Sequence, residues 1–459
     1  MKFLSITLLF VLPFFSGVVV SLEGFGSVPA AVKSHGAPVP DSYIVTFKGL
    51  VSSSAVSSHH KWLEGMLAAS SAVVGGKVPG VVHKYDIGSF KAYSGVFSKD
   101  VVEMLKKQGD VASVVQDQYV STAAPASVEE RTMSDKRSPT FGHIEKRVCK
   151  SQTLAQDEAA GEWGLGRISH YKIFSTPMLG WPSYPYDDNV KFCSKLKPSG
   201  GVAYVIDSGI LLKHPEFQGR AEWGFNARPE QWVDSDICGH GTHVAGIIGG
   251  RKYGVQKTAK LIAVKVLEGA NSACQGTWGD VIAGLEWTYK HAVANKWLKQ
   301  SVVNMSLSGP NFPPATEAVE QLVKNGVTIV VSAGNQYDMD ACDSSPANAP
   351  GAITVGSTDI EDMVSIFSNG GCCVDIYAPG TNIGSSYIGP QYRLMSGTSM
   401  AAPFVAAVVL YNKCRLGNDT PAKDLDGIVK DAFSITDQIV DFTGCEDKNK
   451  IVYNRATCK

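Results

Sequence analysis

Apolar residues fall into two regimes along the chain. Between residues 42 and 120 they form short runs: Tyr43 to Phe47, Val81 to Tyr85, Phe90 to Phe97 and Val111 to Val115 read as strands. His59 to Ala69 and Val101 to Lys107 read as helices. The order β-α-β-β-α-β is the ferredoxin-like pattern of a small α+β domain. From about residue 161 to 459 the apolar runs are continuous instead. Val202 to Ile206, Leu261 to Val266, Val302 to Leu307, Val327 to Val331 and Ala352 to Val355 read as strands. Asp280 to Lys296 and Ala315 to Asn325 are helix-like stretches between them. Strands apolar on both faces are buried on both faces, so this alternation predicts an α/β fold with a doubly wound, mostly parallel sheet. Phe404 to Leu410, small and apolar all round, reads as a buried helix.

Two further stretches stand outside these domains. In residues 1–26, Lys2 precedes an apolar run from Phe3 to Phe15 and then small residues, the pattern of a signal peptide. No later run is long and apolar enough for a membrane anchor. Residues 121–160 lack an apolar period and read as a linker, carrying Lys136-Arg137 and Lys146-Arg147 as candidate dibasic cleavage sites. Charge adds little: 42 basic and 43 acidic residues give a net charge of −1, which points to neither a nucleic-acid nor an anionic-membrane partner. Ten cysteines, all from Cys149 onward, predict disulfides in a chain entering the secretory pathway.

The chemistry concentrates at three places. Gly397-Thr398-Ser399 opens the small-residue helix, so Ser399 sits where free backbone N–H groups and the helix dipole favour an anion. Serine needs a base to take its proton, and the base needs an orienting carboxylate. Asp207 ends the apolar run Val202 to Ile206 and precedes Ser208-Gly209, where open α/β sheets place their sites. His240, between Gly239 and Gly241, opens another small-residue helix. Singly, Ser399 could be an N-cap, Asp207 a turn residue and His240 a helix cap or metal ligand. Together they stand in the order Asp, His, Ser.

Val205-Ile206-Asp207-Ser208-Gly209, His240-Gly241-Thr242-His243-Val244-Ala245-Gly246 and Gly397-Thr398-Ser399-Met400-Ala401-Ala402-Pro403 resemble the three active-site signatures of the subtilisin-like serine proteases. The connecting text Trp163 to Ile168, His214-Pro215-Glu216-Phe217 and Tyr253-Gly254-Val255 is similar to the fungal proteinase K and cerevisin branch. The resemblance runs from about Trp163 to Leu410. It implies a serine endopeptidase in which Ser399 is the nucleophile, His240 the base and Asp207 its orienter. It assigns His243, one helical turn on, to packing. Ser332-Ala333-Gly334-Asn335 matches the oxyanion segment, with Asn335 as a donor. Ser306, Leu307, Ser308, Gly309, Ala333 and Gly334 would wall the pocket for the residue preceding the scissile bond. Gln275 to Trp278 would pair with the substrate as an edge strand through Gly276, and Trp278 would line a more distant apolar subsite. The small domain at 42–120 resembles the inhibitor-type propeptide, an intramolecular inhibitor of its own enzyme.

Some positions depart from the family pattern. Ser308 stands for a usual pocket-wall glycine, Phe404 for a histidine, Ala407 for a glycine and Cys238 for an asparagine. Residues 171–197 form an insertion with no assigned role. The resemblance implies a Cys342–Cys373 bridge, and some relatives also bridge Cys238 with Cys274, for which a free Cys238 thiol is the alternative; the remaining six cysteines stay open. The resemblance also implies a structural calcium ion on Pro350, Ala352 and Asp375, with no cofactor for catalysis. The resulting expectation is a monomeric, secreted or vacuolar endopeptidase made as a zymogen and acting on protein and peptide substrates with broad, apolar specificity. A narrow processing protease and a catalytically silent binding protein are the alternatives. An even cysteine count favours a mature chain starting at or before Val148, which retains Cys149.

Overall fold

The computed structural model describes residues 34–122, 163–169, 196–434 and 450–453, apart from 50, 69–72, 77, 272, 338, 390, 418–419 and 432. It also describes the strand segments Thr132–Met133, Gln152–Ala155 and Ser183–Tyr186. The signal-peptide stretch, both dibasic pairs and Cys149, Cys193, Cys445 and Cys458 lie outside the described residues.

The N-terminal domain follows the predicted order: β1 (Pro38–Phe47), α1 (Ser53–Ala68), β2 (Gly80–Ile87), β3 (Phe90–Val96), α2 (Lys99–Lys106) and β4 (Val111–Thr122). Its strands run antiparallel in the order β4-β1-β3-β2. Alternation sends β1 side chains to two cores. Val45 and Phe47 pack with Leu63, Val101 and Leu105 of the domain's own helices. Ile44, with Tyr85, Phe90 and Val120, packs instead into the core of the C-terminal domain. Strand β1 starts at Pro38, earlier than the Tyr43 read from the sequence, and two other boundaries differ more. Helix α1 begins at Ser53 because the Ser52 hydroxyl accepts the Ala55 N–H at 3.2 Å, capping a serine run that reads as loop. Strand β4 runs on to Thr122, well past Val115, for a reason given below.

Among the described residues, the C-terminal domain is built on a nine-stranded sheet. From one edge the order is β6 (Ala221–Asn226), β7 (Lys260–Lys265), β5 (Val202–Asp207), β9 (Ser301–Met305), β11 (Thr328–Ser332), β12 (Ile353–Thr358) and β13 (Ile376–Pro379), all parallel. Lys450–Ile451 continues it in parallel, and Phe433–Ser434 closes it antiparallel. Strand β5 shows why these runs are unbroken apolar. Ala203 and Val205 face a core containing helices α3 (His240–Gly249) and α6 (Thr398–Leu416). Val202, Tyr204 and Ile206 face the opposite core, shared with α4 (Trp278–Ala294) and α5 (Pro313–Lys324). The run expected at 302–307 is two elements. At Ser306 the chain leaves the sheet, and β10 (Leu307–Pro310) becomes one edge of a cleft. The other edge is β8 (Ala273–Thr277), which runs into α4 through a capping box of Thr277 and Asp280.

The end of β4 lies between those two edges. Tyr119, Val120 and Ser121 pair antiparallel with Thr277, Gly276 and Gln275. Ser121 and Thr122 pair antiparallel with Ser308 and Leu307 on the other side. Residues 116–118 still follow β1, through Gln116 with Tyr43 and Gln118 with Pro38, and residues 119–122 extend the strand because the two cleft edges supply hydrogen-bond partners.

Candidate active site

Asp207 ends β5 and is fully buried. One of its oxygens accepts the N–H of Ser208 at 2.7 Å, and Gly209 follows at φ 106°, a turn that glycine makes without strain. His240 is the first residue of α3. Its Nδ1 lies 2.9 Å from both Asp207 oxygens. The approach requires Gly241, where a Cβ would sit 2.2 Å from the Gly209 carbonyl oxygen. An Nδ1 facing a carboxylate carries the ring proton, which leaves Nε2 as the acceptor. That Nε2 is buried and has no hydrogen-bond partner among the described residues. His243 is different in kind: its Nε2 faces the carbonyls of Ile383 and Arg393 at 3.1 and 3.0 Å. Burial drives its pKa down to about 3, so it stays neutral as a packing residue.

Ser399 is the second residue of α6, and that helix packs directly on α3. The Ser399 hydroxyl donates to the Ser306 carbonyl at 3.2 Å. In return, the Ser306 hydroxyl donates to the Ser399 carbonyl at 2.8 Å while accepting from Asn304 Nδ2 at 2.9 Å. Pro403 explains the second bond. Four residues after Ser399, it has no N–H to give that carbonyl, and Ser306 fills the place.

Asn335 follows Gly334, which is at φ 103° with Asn369 crowding the space a side chain would need. Asn335 Oδ1 accepts both the N–H and the hydroxyl of Thr398, at 2.9 and 2.8 Å. The Thr398 N–H is one of the first donors of α6, which have no partner inside the helix. Asn335 Oδ1 therefore caps the helix one residue before Ser399.

Of the other residues expected at the cleft, Gly276 lies on one edge and Leu307, Ser308 and Gly309 on the other, while Trp278 opens α4, Ser306 precedes β10, and Ala333 and Gly334 follow β11. Gly276 pairs with Val120, and a Cβ there would sit 2.1 Å from the Val266 carbonyl oxygen. Trp278 is fully buried and stacked on Phe312 at 5.8 Å; a Cβ at Gly309 would come within 2.8 Å of its ring. It shares its core with Val120 and Leu307. Ser306, Leu307, Ser308 and Ala333 are all buried, and Ser308 Oγ has no partner among the described residues.

The structure contains Cys238–Cys274, between the loop before His240 and the β8 edge, and Cys342–Cys373. Cys372 and Cys414 are disulfide-bonded as well, and no described cysteine is free. Asp375, the one carboxylate of the implied calcium set, accepts the Thr354 N–H at 3.0 Å and returns its own N–H to Thr354 at 2.9 Å. Its carboxylate is thereby pinned at the start of β12, next to Ala352. Among the described residues no cluster of three His, Cys, Asp or Glu side chains offers a competing metal site.

Sequence reasoning missed a buried charge cluster where the two domains meet. Asp117 of β4 accepts the Gly279 N–H at the start of α4 (3.2 Å), and Asp280 accepts from Nε and Nη2 along one edge of the Arg228 guanidinium, at 2.7 to 3.0 Å. His83 of β2 lies 3.5 Å from Asp280. Burial, then the Asp280 charge, raises Asp117 to about 6. Burial also pushes Asp280 upward, but His83 and Arg228 outweigh it and hold the carboxyl below the usual range. A carboxylate in a polar linker-like run gives no signal of this in sequence.

Residues 200–443 match the family model described as Subtilase family, and residues 42–123 match Peptidase inhibitor I9. The chain is 36% identical to Alkaline protease 2 of Aspergillus fumigatus over 89% of this chain and 79% of that protein. It is 36% identical to Subtilisin-like serine protease Pen ch 18 of Penicillium rubens, covering 89% and 78%. Identity reaches 43% with the subtilase-type proteinase isp6 of Schizosaccharomyces pombe, over 72% of this chain but only 62% of isp6. Among solved structures, a cold adapted subtilisin-like serine proteinase aligns with a TM-score of 0.54 and 37% identity, over 64% of this chain and 97% of that one. The chain therefore belongs to the subtilase family of serine endopeptidases and carries an I9 inhibitor segment ahead of its enzyme domain.

Proposed function

We propose that the protein is a secretory-pathway endopeptidase made as a zymogen, with Ser399, His240 and Asp207 as its catalytic triad. The observation that carries this reading is the buried Asp207–His240 pair with an unpartnered Nε2, on a helix packed against the one that presents Ser399. In the reaction, Nε2 accepts the Ser399 proton as Oγ attacks the scissile carbonyl, and Asp207 stabilises the imidazolium that forms. Asn335 Nδ2 and the Ser399 backbone N–H donate to the developing oxyanion. The same proton then goes to the leaving amine, and water repeats the sequence on the acyl-enzyme. Loss of peptide hydrolysis on treatment with a sulfonyl fluoride tests this assignment; undiminished hydrolysis in a fully labelled enzyme rejects it.

The strand at 119–122 supports the second half of the proposal. It occupies both cleft edges in the antiparallel manner of a substrate, ending at Leu307, the neighbour of Ser306. The inhibitor segment thus blocks the cleft, and we place its self-cleavage at the end of this strand, within residues 121–125. Asp117 makes retention of the segment pH-dependent. Released into water its carboxyl returns to about 3.9, below its value of about 6 in the complex. A group whose pKa is higher in the complex strengthens the complex at low pH, and that contribution fades as pH rises through 6. Binding should be roughly tenfold tighter at pH 5 than at pH 8 from this group. Calorimetry of the segment with Ser399→Ala enzyme checks this. Asp117→Asn should flatten the profile, and an equally steep profile in that variant rejects the role.

Ser308 narrows the pocket in our reading. Its hydroxyl is buried without a described partner beside the Ser121 pairing position. Small to medium apolar residues should precede the cleaved bond, and Ser308→Gly should raise the relative kcat/KM for Phe over Ala substrates by roughly tenfold or more. An unchanged ranking of Ala, Leu and Phe substrates contradicts it.

The calcium proposal rests on Asp375 beside Ala352, an oxygen-only set suited to that ion. Excess chelator should lower Tm by several degrees, and Asp375→Asn should remove the difference. Identical melting with and without chelator sinks the idea.

A further inference from the structure

The pair Asp207–His240 is held in a frame that centres on a third residue, Asp236. Its carboxylate is buried, and it accepts five hydrogen bonds. Oδ1 takes the Ser208 hydroxyl at 2.9 Å and the N–H groups of Cys238 and Gly239 at 3.0 and 2.8 Å. Oδ2 takes the N–H and hydroxyl of Thr242 at 2.9 and 2.6 Å. The two hydroxyls extend the frame across the site. Ser208 Oγ accepts the Gly241 N–H at 3.0 Å, and Thr242 Oγ1 accepts the Leu211 N–H at 2.9 Å. One carboxylate thus binds the residue after Asp207 to residues on both sides of His240, and it also caps the helix that carries His240.

We propose that Asp236 is a positioning residue for the base: it fixes the Asp207–His240 geometry and places a second negative charge behind that pair. This rests on the reading of His240 as the base. All five bonds are donated to the carboxylate, three of them by backbone N–H groups that cannot accept a proton in return. Burial raises the carboxyl above its ordinary range, and the hydrogen bonds from Thr242, Gly239 and Ser208 oppose that rise. The titratable groups around the frame are Asp207 and His240 themselves, and Lys265. The Lys265 ammonium donates to the Ser208 carbonyl at 2.7 Å and pairs with Glu268 at 2.7 Å. His243, one turn along α3, is buried and neutral.

The test is Asp236→Asn in the full chain after self-processing, with rates normalised by active-site titration. An amide must turn its NH₂ toward some of the donors, which loosens the frame, and it removes the charge. The expected result is a roughly 10- to 100-fold fall in kcat with KM within about twofold. The acid limb of the pH profile should also move down by about half a unit or more, because the imidazolium loses a stabilising anion. A purely structural residue would lower Tm and leave that limb in place. If Asp236→Asn does not fold, Ser208→Ala removes one arm of the frame while keeping the charge; it should lower kcat severalfold with the limb unmoved. Wild-type kcat in Ser208→Ala, or wild-type kcat and limb in Asp236→Asn, overturns the proposal. Persistent activity in Ser399→Ala would instead overturn the triad reading beneath it.

Discussion

Ser399→Ala should leave a folded chain whose peptide hydrolysis is lower by about four to six orders of magnitude. The size follows from the cooperation of the parts: without Oγ there is nothing for Nε2 to activate, so the buried Asp207–His240 pair becomes idle. The fold should survive. The bond from the Ser306 hydroxyl to the residue 399 carbonyl uses only backbone at 399, and the Asn335 cap is on Thr398. Self-cleavage is lost with the nucleophile, so the variant should accumulate with its inhibitor segment attached. Intact mass and circular dichroism read both outcomes. A native-like variant that still cuts itself would contradict the assignment.

Asn335→Ala comes next in size, with a fall in kcat of about 100- to 1000-fold and little change in KM, since the lost bond forms in the transition state. This substitution has a second effect, because Oδ1 caps α6 at Thr398. Loss of such a cap costs about 1 kcal/mol of stability. Asn335→Asp separates the two roles. It keeps acceptors for Thr398 but offers the oxyanion an anion in place of a donor, so kcat should fall while Tm holds. Full turnover in Asn335→Asp would remove Asn335 from the chemistry.

Much of this arrangement was legible in the sequence because of where parallel sheets put their sites. A strand buried on both faces is written as an unbroken apolar run, as in Val202 to Ile206, and the residue at its carboxyl end is marked by the turn that follows. The small helices at His240 and Ser399 are marked similarly by their glycine entries. What stayed hidden depends on partners far away in the chain. Residues 119–122 lack an apolar alternation and are held as a strand by β8 and β10. Ser306 breaks a run that reads as one strand, because the chain must leave the sheet there to form the cleft edge. Asp236 and Asp234 look alike in sequence. The fold gives Asp234 an Asn226 side chain and buries Asp236 under the His240 helix. Asp117 and Asp280 come together from opposite domains.

The central claim is that Ser399 is a nucleophile activated by His240. Labelling the processed enzyme with a fluorophosphonate and mapping the adduct by mass spectrometry tests it most directly. The expected result is one adduct, on Ser399, that forms with the enzyme's own pH dependence and is nearly abolished in His240→Ala. An adduct on another residue, or full labelling of Ser399 without His240, would contradict it.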